Sequence, residues 1–153
     1  MMLRVASRRN WVRGAGSSPV LFGDLLILHF DGSDHQFILA LDKQTGATVW
    51  KTDRSVAWND ENVPGPMARD GDLRKAHSTP LIVTAAGKPQ MLSAGAKASY
   101  CYDPRTGKEL WRTRTIPRPG EPGDESWGKV TDANRRHVGA WMVPSYDAES
   151  NLL

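Results

Sequence analysis

Apolar residues in this chain fall in short clusters cut by polar turn residues, with none of the three-to-four-residue spacing of a helical face. Val20 to Phe22, Leu25 to Phe30 and Phe37 to Leu41 are rich in leucine, aromatic and β-branched side chains. Gly23-Asp24 and Asp31-Gly32-Ser33-Asp34 separate them, and gaps of that size and composition predict antiparallel strands joined by hairpins. Asp42-Lys43-Gln44-Thr45-Gly46 predicts the next turn. The Asp42 carboxylate can accept hydrogen bonds from amides two or three residues on, and Gly46 can take the positive φ that closes the hairpin. A fourth strand follows and ends on Trp50.

The same order returns once, at a spacing of 61 residues. Ser17-Ser18-Pro19-Val20-Leu21-Phe22 matches Ser78-Thr79-Pro80-Leu81-Ile82-Val83, Asp42 to Gly46 matches Asp103-Pro104-Arg105-Thr106-Gly107, and Trp50-Lys51-Thr52 matches Trp111-Arg112-Thr113. The second copy predicts strands over Leu81 to Thr84, Gln90 to Ser93, Ala98 to Tyr102 and Glu109 to Thr113, with Ala86-Gly87-Lys88-Pro89 as its first turn. Residues 17–52 and 78–113 are therefore expected to be one four-stranded unit repeated, with Trp50 on Trp111. Four strands in so short a span is the size of a propeller blade. Such a sheet cannot bury both faces alone, so a large ring at a fixed place is expected to face the next blade.

The segments around the copies differ from them. Residues 1–16 carry Arg4, Arg8, Arg9 and Arg13 without an acid. Ser7-Arg8-Arg9 has some likeness to a twin-arginine export signal, but Gly14-Ala15-Gly16-Ser17-Ser18-Pro19 follows where such a signal needs an apolar stretch, so a loose, solvated N-terminus is expected. Between the blades, 17–54 and 78–115, lies a polar surface insertion, 55–77. Residues 116–153, with Pro117, Pro119, Pro122, Gly120 and Gly123, predict an irregular segment leading into an incomplete blade.

Composition adds limits. Of 153 residues, 39% are apolar and 24% charged, which suits a folded chain, and the apolar runs are too short to span a bilayer as helices. A net charge of +3 from 20 basic and 17 acidic side chains, mixed along the chain, does not point to nucleic acid. Cys101 is the only cysteine, so neither an internal disulfide nor a four-cysteine zinc site is possible. His29, His35, His77 and His137 have no metal-binding spacing, and His29, in an apolar strand, is expected to be structural. Arg112, Arg114, Arg118, Arg135 and Arg136 are expected to be solvated. The loop acids Asp31, Asp34, Asp60, Glu61, Asp70 and Asp72 lack the calcium-loop spacing and are expected to be solvated too.

Ser-(Ser/Thr)-Pro opening a strand, followed by Ala40-Leu41-Asp42-Lys43-Gln44-Thr45-Gly46-Ala47-Thr48-Val49-Trp50, resembles the repeat of pyrroloquinoline-quinone-like β-propellers. Tyr102 to Trp111 carries the pattern almost as well, and the resemblance covers residues 17–115. It implies an all-β fold: a partial β-propeller of two four-stranded blades plus the entry to a third, a fragment of a longer ring. The stretch from Pro117 to Asp147 is similar to quinoprotein alcohol dehydrogenases. There a tryptophan five residues before a Tyr-Asp pair forms the floor under the quinone, and Trp141 stands in that relation to Tyr146-Asp147. The family also holds calcium against the quinone and uses an aspartate base, and one calcium ligand and that base follow the tryptophan at a distance this chain does not reach. The adjacent cysteine pair usual over the quinone is missing as well.

Two functions follow from the resemblance. The first is a quinone-like repeat segment with a binding or scaffold role, no complete active site, no catalytic or metal residue and no cofactor of its own. The second is part of a pyrroloquinoline-quinone-dependent alcohol dehydrogenase with calcium, in which Trp141 stacks on the quinone. Expected partners are other propeller blades or another protein chain, with self-association through unpaired sheet edges. Relatives of this kind are periplasmic or exported, although no signal peptide is read in this chain.

Overall fold

The computed structural model describes residues 17–32, 35–54, 74–132, 135, 145 and 147–150. Two antiparallel four-stranded sheets make up the fold, each in simple sequential order. The first contains β1 (Val20–Phe22), β2 (Leu25–Asp31), β3 (Gln36–Asp42) and β4 (Thr48–Asp53). The second contains β5 (Leu81–Ala85), β6 (Lys88–Ala94), β7 (Ala98–Tyr102) and β8 (Glu109–Arg114). These are the two blades expected from the repeat, and the fold is a partial β-propeller. Among the described residues no helix is long and apolar enough to cross a membrane.

Both Asp-x-x-Thr-Gly segments form the expected turn. Asp42 Oδ1 accepts from the Gln44 and Thr45 amides at 3.1 and 2.7 Å and from the Thr45 hydroxyl at 2.8 Å. These bonds, from Thr45 first, hold the exposed Asp42 carboxyl below its ordinary pKa. Asp103 Oδ1 accepts from the Arg105 amide at 2.8 Å. Gly46 and Gly107 close the turns at φ 71 and 70. After each turn the register slips, Ala40 pairing with Trp50 but Leu41 with Thr48, and Cys101 with Trp111 but Tyr102 with Glu109. Val49 and Leu110 are thus the extra residues of two equivalent bulges. Each bulge brings its tryptophan level with the small residue opposite, Ala40 or Cys101.

Two details depart from the expectation. In the second sheet the first turn is Ala86-Gly87 alone, and Pro89 lies inside β6, opposite Thr84. A proline lacks the amide a central strand normally needs, but here the β6–β7 ladder begins only at Met91, so Pro89 has a partner strand on one side. The two sheets also differ in register. The first hairpin of the second sheet runs through five pairs where that of the first runs through three, and its second ladder through four pairs where the first sheet has seven. Lengthening at one end and shortening at the other cancel, which keeps the 61-residue spacing intact.

The core lies between the sheets. Successive strand residues alternate faces, so Ile27, Ile38 and Ala40 present one face of the first sheet, and Met91, Ala98, Tyr100 and Tyr102 one face of the second. All seven are essentially inaccessible and form a single cluster, against which Phe22, Leu25, Trp50 and Ile82 pack. Contact between repeat-equivalent residues locates the axis relating the blades. The Ser17 hydroxyl donates to the Ser78 carbonyl at 2.9 Å, and the Ser18 amide to Thr79 Oγ1 at 3.0 Å. Units related by rotation meet at equivalent positions only near the axis, so β1 and β5 are the inner strands.

At the outer strands the contact is between unlike positions. The Trp50 ring lies against Gly107 in the second blade's turn, where an added Cβ would collide with Trp50 Cε3, and Thr52 Oγ1 donates to the Gly107 carbonyl at 2.7 Å. Trp50 is the inter-blade residue the repeat predicted. Its equivalent, Trp111, is 40% exposed. Trp50→Ala is therefore expected to cost about 3 kcal/mol and Trp111→Ala about 1 kcal/mol or less. Urea unfolding at submicromolar concentration, followed by circular dichroism, measures both, and equal losses would contradict the packing described.

Candidate functional site

The densest polar constellation lies in the interface between the blades. On β2, His29 and Asp31 follow Ile27 at two-residue spacing, so all three face the second sheet. Arg54 leaves the end of β4 and turns inward, while Ser93 on β6 faces it from the other blade. Exposures of 3% for His29, 2% for Asp31, 7% for Arg54 and 1% for Ser93 place the group out of reach of solvent.

Arg54 is its centre. Nη2 donates to Asp31 Oδ2 at 2.8 Å and to Ser93 Oγ at 2.7 Å, and Nε makes a charge contact with Asp31 Oδ1 at 2.6 Å. The guanidinium also stacks 4.5 Å from the centre of the Tyr100 ring. Gly95 leaves room for it, since a Cβ there would come within 3.2 Å of Nη1. An arginine is charged at any ordinary pH, so its burial has to be matched by a carboxylate. Burial pushes the Asp31 carboxyl above its ordinary range, and Arg54 pulls it back. Burial and then the Arg54 charge hold His29 well below its usual value, so the imidazole is neutral. Ser93 Oγ lies 3.2 Å from His29 Nε2. Ser93 Oγ accepts from Arg54, which frees its own proton to be donated to Nε2. Burial also raises the neighbouring phenol of Tyr100 to about 12, and that of Tyr102 further.

A serine within reach of a histidine is a feature of nucleophilic sites, but two observations make this pair structural. Neither residue is accessible to a substrate. The acid that would orient the imidazole is bound to Arg54 instead. What the cluster does is link one blade to the other through a charge whose partners lie on both.

Only part of this arrangement is legible along the chain. His29 was expected to be structural, and it is. Asp31, expected among the solvated loop acids, is buried at the end of β2 with Arg54. Arg135, also expected to be solvated, is 6% exposed: it donates to the Pro117 carbonyl at 2.8 Å and pairs with Asp124 beside a short 3-10 helix, Asp124–Trp127. Arg112 pairs with Glu109 at 2.6 Å and Arg114 with Glu121. Trp141, the expected quinone floor, lies outside the described residues. Calcium requires six to eight oxygens. Among the described residues no three His, Cys, Asp or Glu side chains gather, and Asp31, the one buried acid, turns both oxygens to Arg54, so these residues do not fit the ion.

With fold and cluster in place, residues 34–121 match the family model of the outer membrane protein assembly factor BamB, over more than half of the chain. The chain belongs to that family. No curated protein sequence matches this member of the BamB family. Its fold is similar to that of quinohemoprotein alcohol dehydrogenase ADHIIG from Pseudomonas putida HK5, with TM-score 0.61 and 19% identity over 86% of this chain and 19% of that one. It is also similar to a europium-containing methanol dehydrogenase, with TM-score 0.55 and 19% identity over 86% of this chain and 24% of that one. BamB from Moraxella catarrhalis matches with TM-score 0.41 and 23% identity over 63% of this chain and 22% of that one. The chain thus spans about a fifth of the length of these structures.

The neutral His29 sets a pH dependence. Its pKa is lower in the folded chain than in the unfolded one, so below about 6.5 the unfolded chain takes up a proton that the folded chain refuses. Stability is expected to be intact above that pH and to fall beneath it, by up to about 1.4 kcal/mol per pH unit from this residue. Asp31, raised by burial, works with the opposite sign, but His29→Gln leaves it in place. Urea midpoints between pH 7 and 5 should fall less steeply for His29→Gln than for the parent, and parallel profiles would contradict a neutral buried imidazole.

Proposed function

We propose that this member of the BamB family is a structural propeller segment, whose role is to present sheet faces and turns for binding other protein surfaces, with no complete active site within the chain. The observation that carries the reading is the interface cluster. Among the described residues the closest approach to a reactive Ser-His pair is buried, its acid is committed to Arg54, and its geometry serves blade packing. Propeller folds are used for catalysis and for binding alike, so fold alone gives no grounds for the redox chemistry of the dehydrogenases it resembles. The family description places its members in outer-membrane assembly, and an envelope location with protein partners is part of this proposal.

The experiment is a titration of the full chain with pyrroloquinoline quinone in the presence of calcium. A single aromatic face contributes about 0.5 to 1.5 kcal/mol beyond its area, whereas micromolar affinity needs about 8 kcal/mol. Tryptophan fluorescence is expected to show no saturable quenching at micromolar quinone, and no dye reduction with primary alcohols. Saturable quenching that Trp141→Ala abolishes would overturn the structural reading in favour of the dehydrogenase one, with Trp141 as the quinone floor.

A further inference from the structure

We propose that the layer between the two blades is a binding site for internal water, with a water molecule held between the phenol oxygens of Tyr100 and Tyr102. The inference goes beyond the structural role above and does not rest on it, since it concerns only the face that the two sheets share.

Tyr100 and Tyr102 lie two residues apart on β7, so both side chains leave the same face of the second sheet, the one packed on the first. Their rings stack with centroids 5.8 Å apart and planes 16° from parallel. Exposures of 1% and 0% enclose both residues. Their phenol oxygens are buried, and among the described residues neither has a hydrogen-bond partner. The same holds for two atoms that the first blade contributes to the layer, Trp50 Nε1 and Arg54 Nη1. Buried polar atoms are nearly always hydrogen-bonded, because an atom that leaves water without replacing the bond it had there costs stability. One such atom would be a local defect. Several, drawn from both sheets into one layer, point to a ligand inside it.

The chemistry of these atoms selects the ligand. An indole nitrogen and a guanidinium nitrogen only donate, whereas a phenol donates and accepts. Burial raises the Tyr100 phenol to about 12 and that of Tyr102 further, so both keep their protons at ordinary pH. An acceptor is therefore required. The charges beside the tyrosines are already balanced, Arg54 by Asp31 and Arg112 by Glu109, so an anion would bring an uncompensated charge into the layer. A neutral molecule with two lone pairs and two hydrogens meets the donors and the phenol oxygens alike, and water is the smallest. Two hydrogen bonds of about 2.8 Å reach about 5.6 Å, which matches near-parallel phenols at the observed ring spacing. Internal water typically makes about three hydrogen bonds. Arg54, whose guanidinium lies 4.5 Å from the centre of the Tyr100 ring, stands beside the pair to supply a third.

Oxygen-17 relaxation dispersion of the solvent, measured on the full chain, tests the proposal, because only water held for long inside the protein contributes to it. The parent is expected to show such a contribution. The double variant Tyr100→Phe, Tyr102→Phe keeps both rings and removes both oxygens, and should lose one water molecule per chain. Urea unfolding gives a second reading. Each single variant should have a lower midpoint than the parent, because a bonded hydroxyl is lost, whereas removing a hydroxyl buried without a partner would raise the midpoint. No internal-water contribution in the parent, an equal contribution in the double variant, or a midpoint that holds or rises in either single variant would overturn the proposal. The single variants carry both measurements if the double variant does not fold.

Discussion

A four-stranded sheet with apolar side chains on both faces can bury either face only against a neighbour, and the rest of this molecule follows from that constraint. The first sheet meets the second through Ile27, Ile38 and Ala40 on one side and Met91, Ala98, Tyr100 and Tyr102 on the other. The contact is anchored near the axis by Ser17 on Ser78 and at the periphery by Trp50 on Gly107. Between these anchors, Arg54 spans the two blades with a charge that cannot be buried unless Asp31 stays beside it. Apolar burial supplies the attraction, and the charged cluster adds a geometric condition, since sliding one sheet along the other would strand a guanidinium and a carboxylate away from water.

The chemistry of the cluster follows from the same burial. Serine, histidine, aspartate and arginine together are a set from which reactive sites are made, but here desolvation keeps His29 neutral and Arg54 keeps the acid occupied. Reactivity depends on access as well as composition. The same cluster at the mouth of a cavity would invite a catalytic reading, whereas enclosed between sheets it determines how the sheets sit.

Much of this fold was legible in the sequence because its rules are local. Turn residues at Gly23-Asp24, the self-capping Asp42 and Asp103, and the short apolar runs of β2 and β3 are decided by neighbours in the chain. Trp50 was legible as an inter-blade residue because it recurs as Trp111. The bulges at Val49 and Leu110 were not, since an extra residue shows itself only against its partner strand. Nor was the changed register of β6, because a longer first hairpin and a shorter second ladder leave the repeat spacing untouched. The interface cluster was hidden for a related reason. Arg54 follows a strand end where arginines are normally solvated, and its partners lie on three other stretches of chain. Arg135 was misread in the same way, its enclosure by Pro117, Asp124 and Trp127 being a property of the folded segment.

With so much of each sheet buried against the other, the two blades are expected to form one cooperative unit, held by the face between them. Native-state hydrogen exchange with increasing denaturant tests it most directly, comparing amides of β2 and β3 with those of β6 and β7. The slowest amides of both sheets are expected to open with the same free energy and the same denaturant dependence, those of global unfolding. If the slowest amides of one sheet open at a distinctly lower free energy while the other remains protected, the blades are separable units and the account is contradicted.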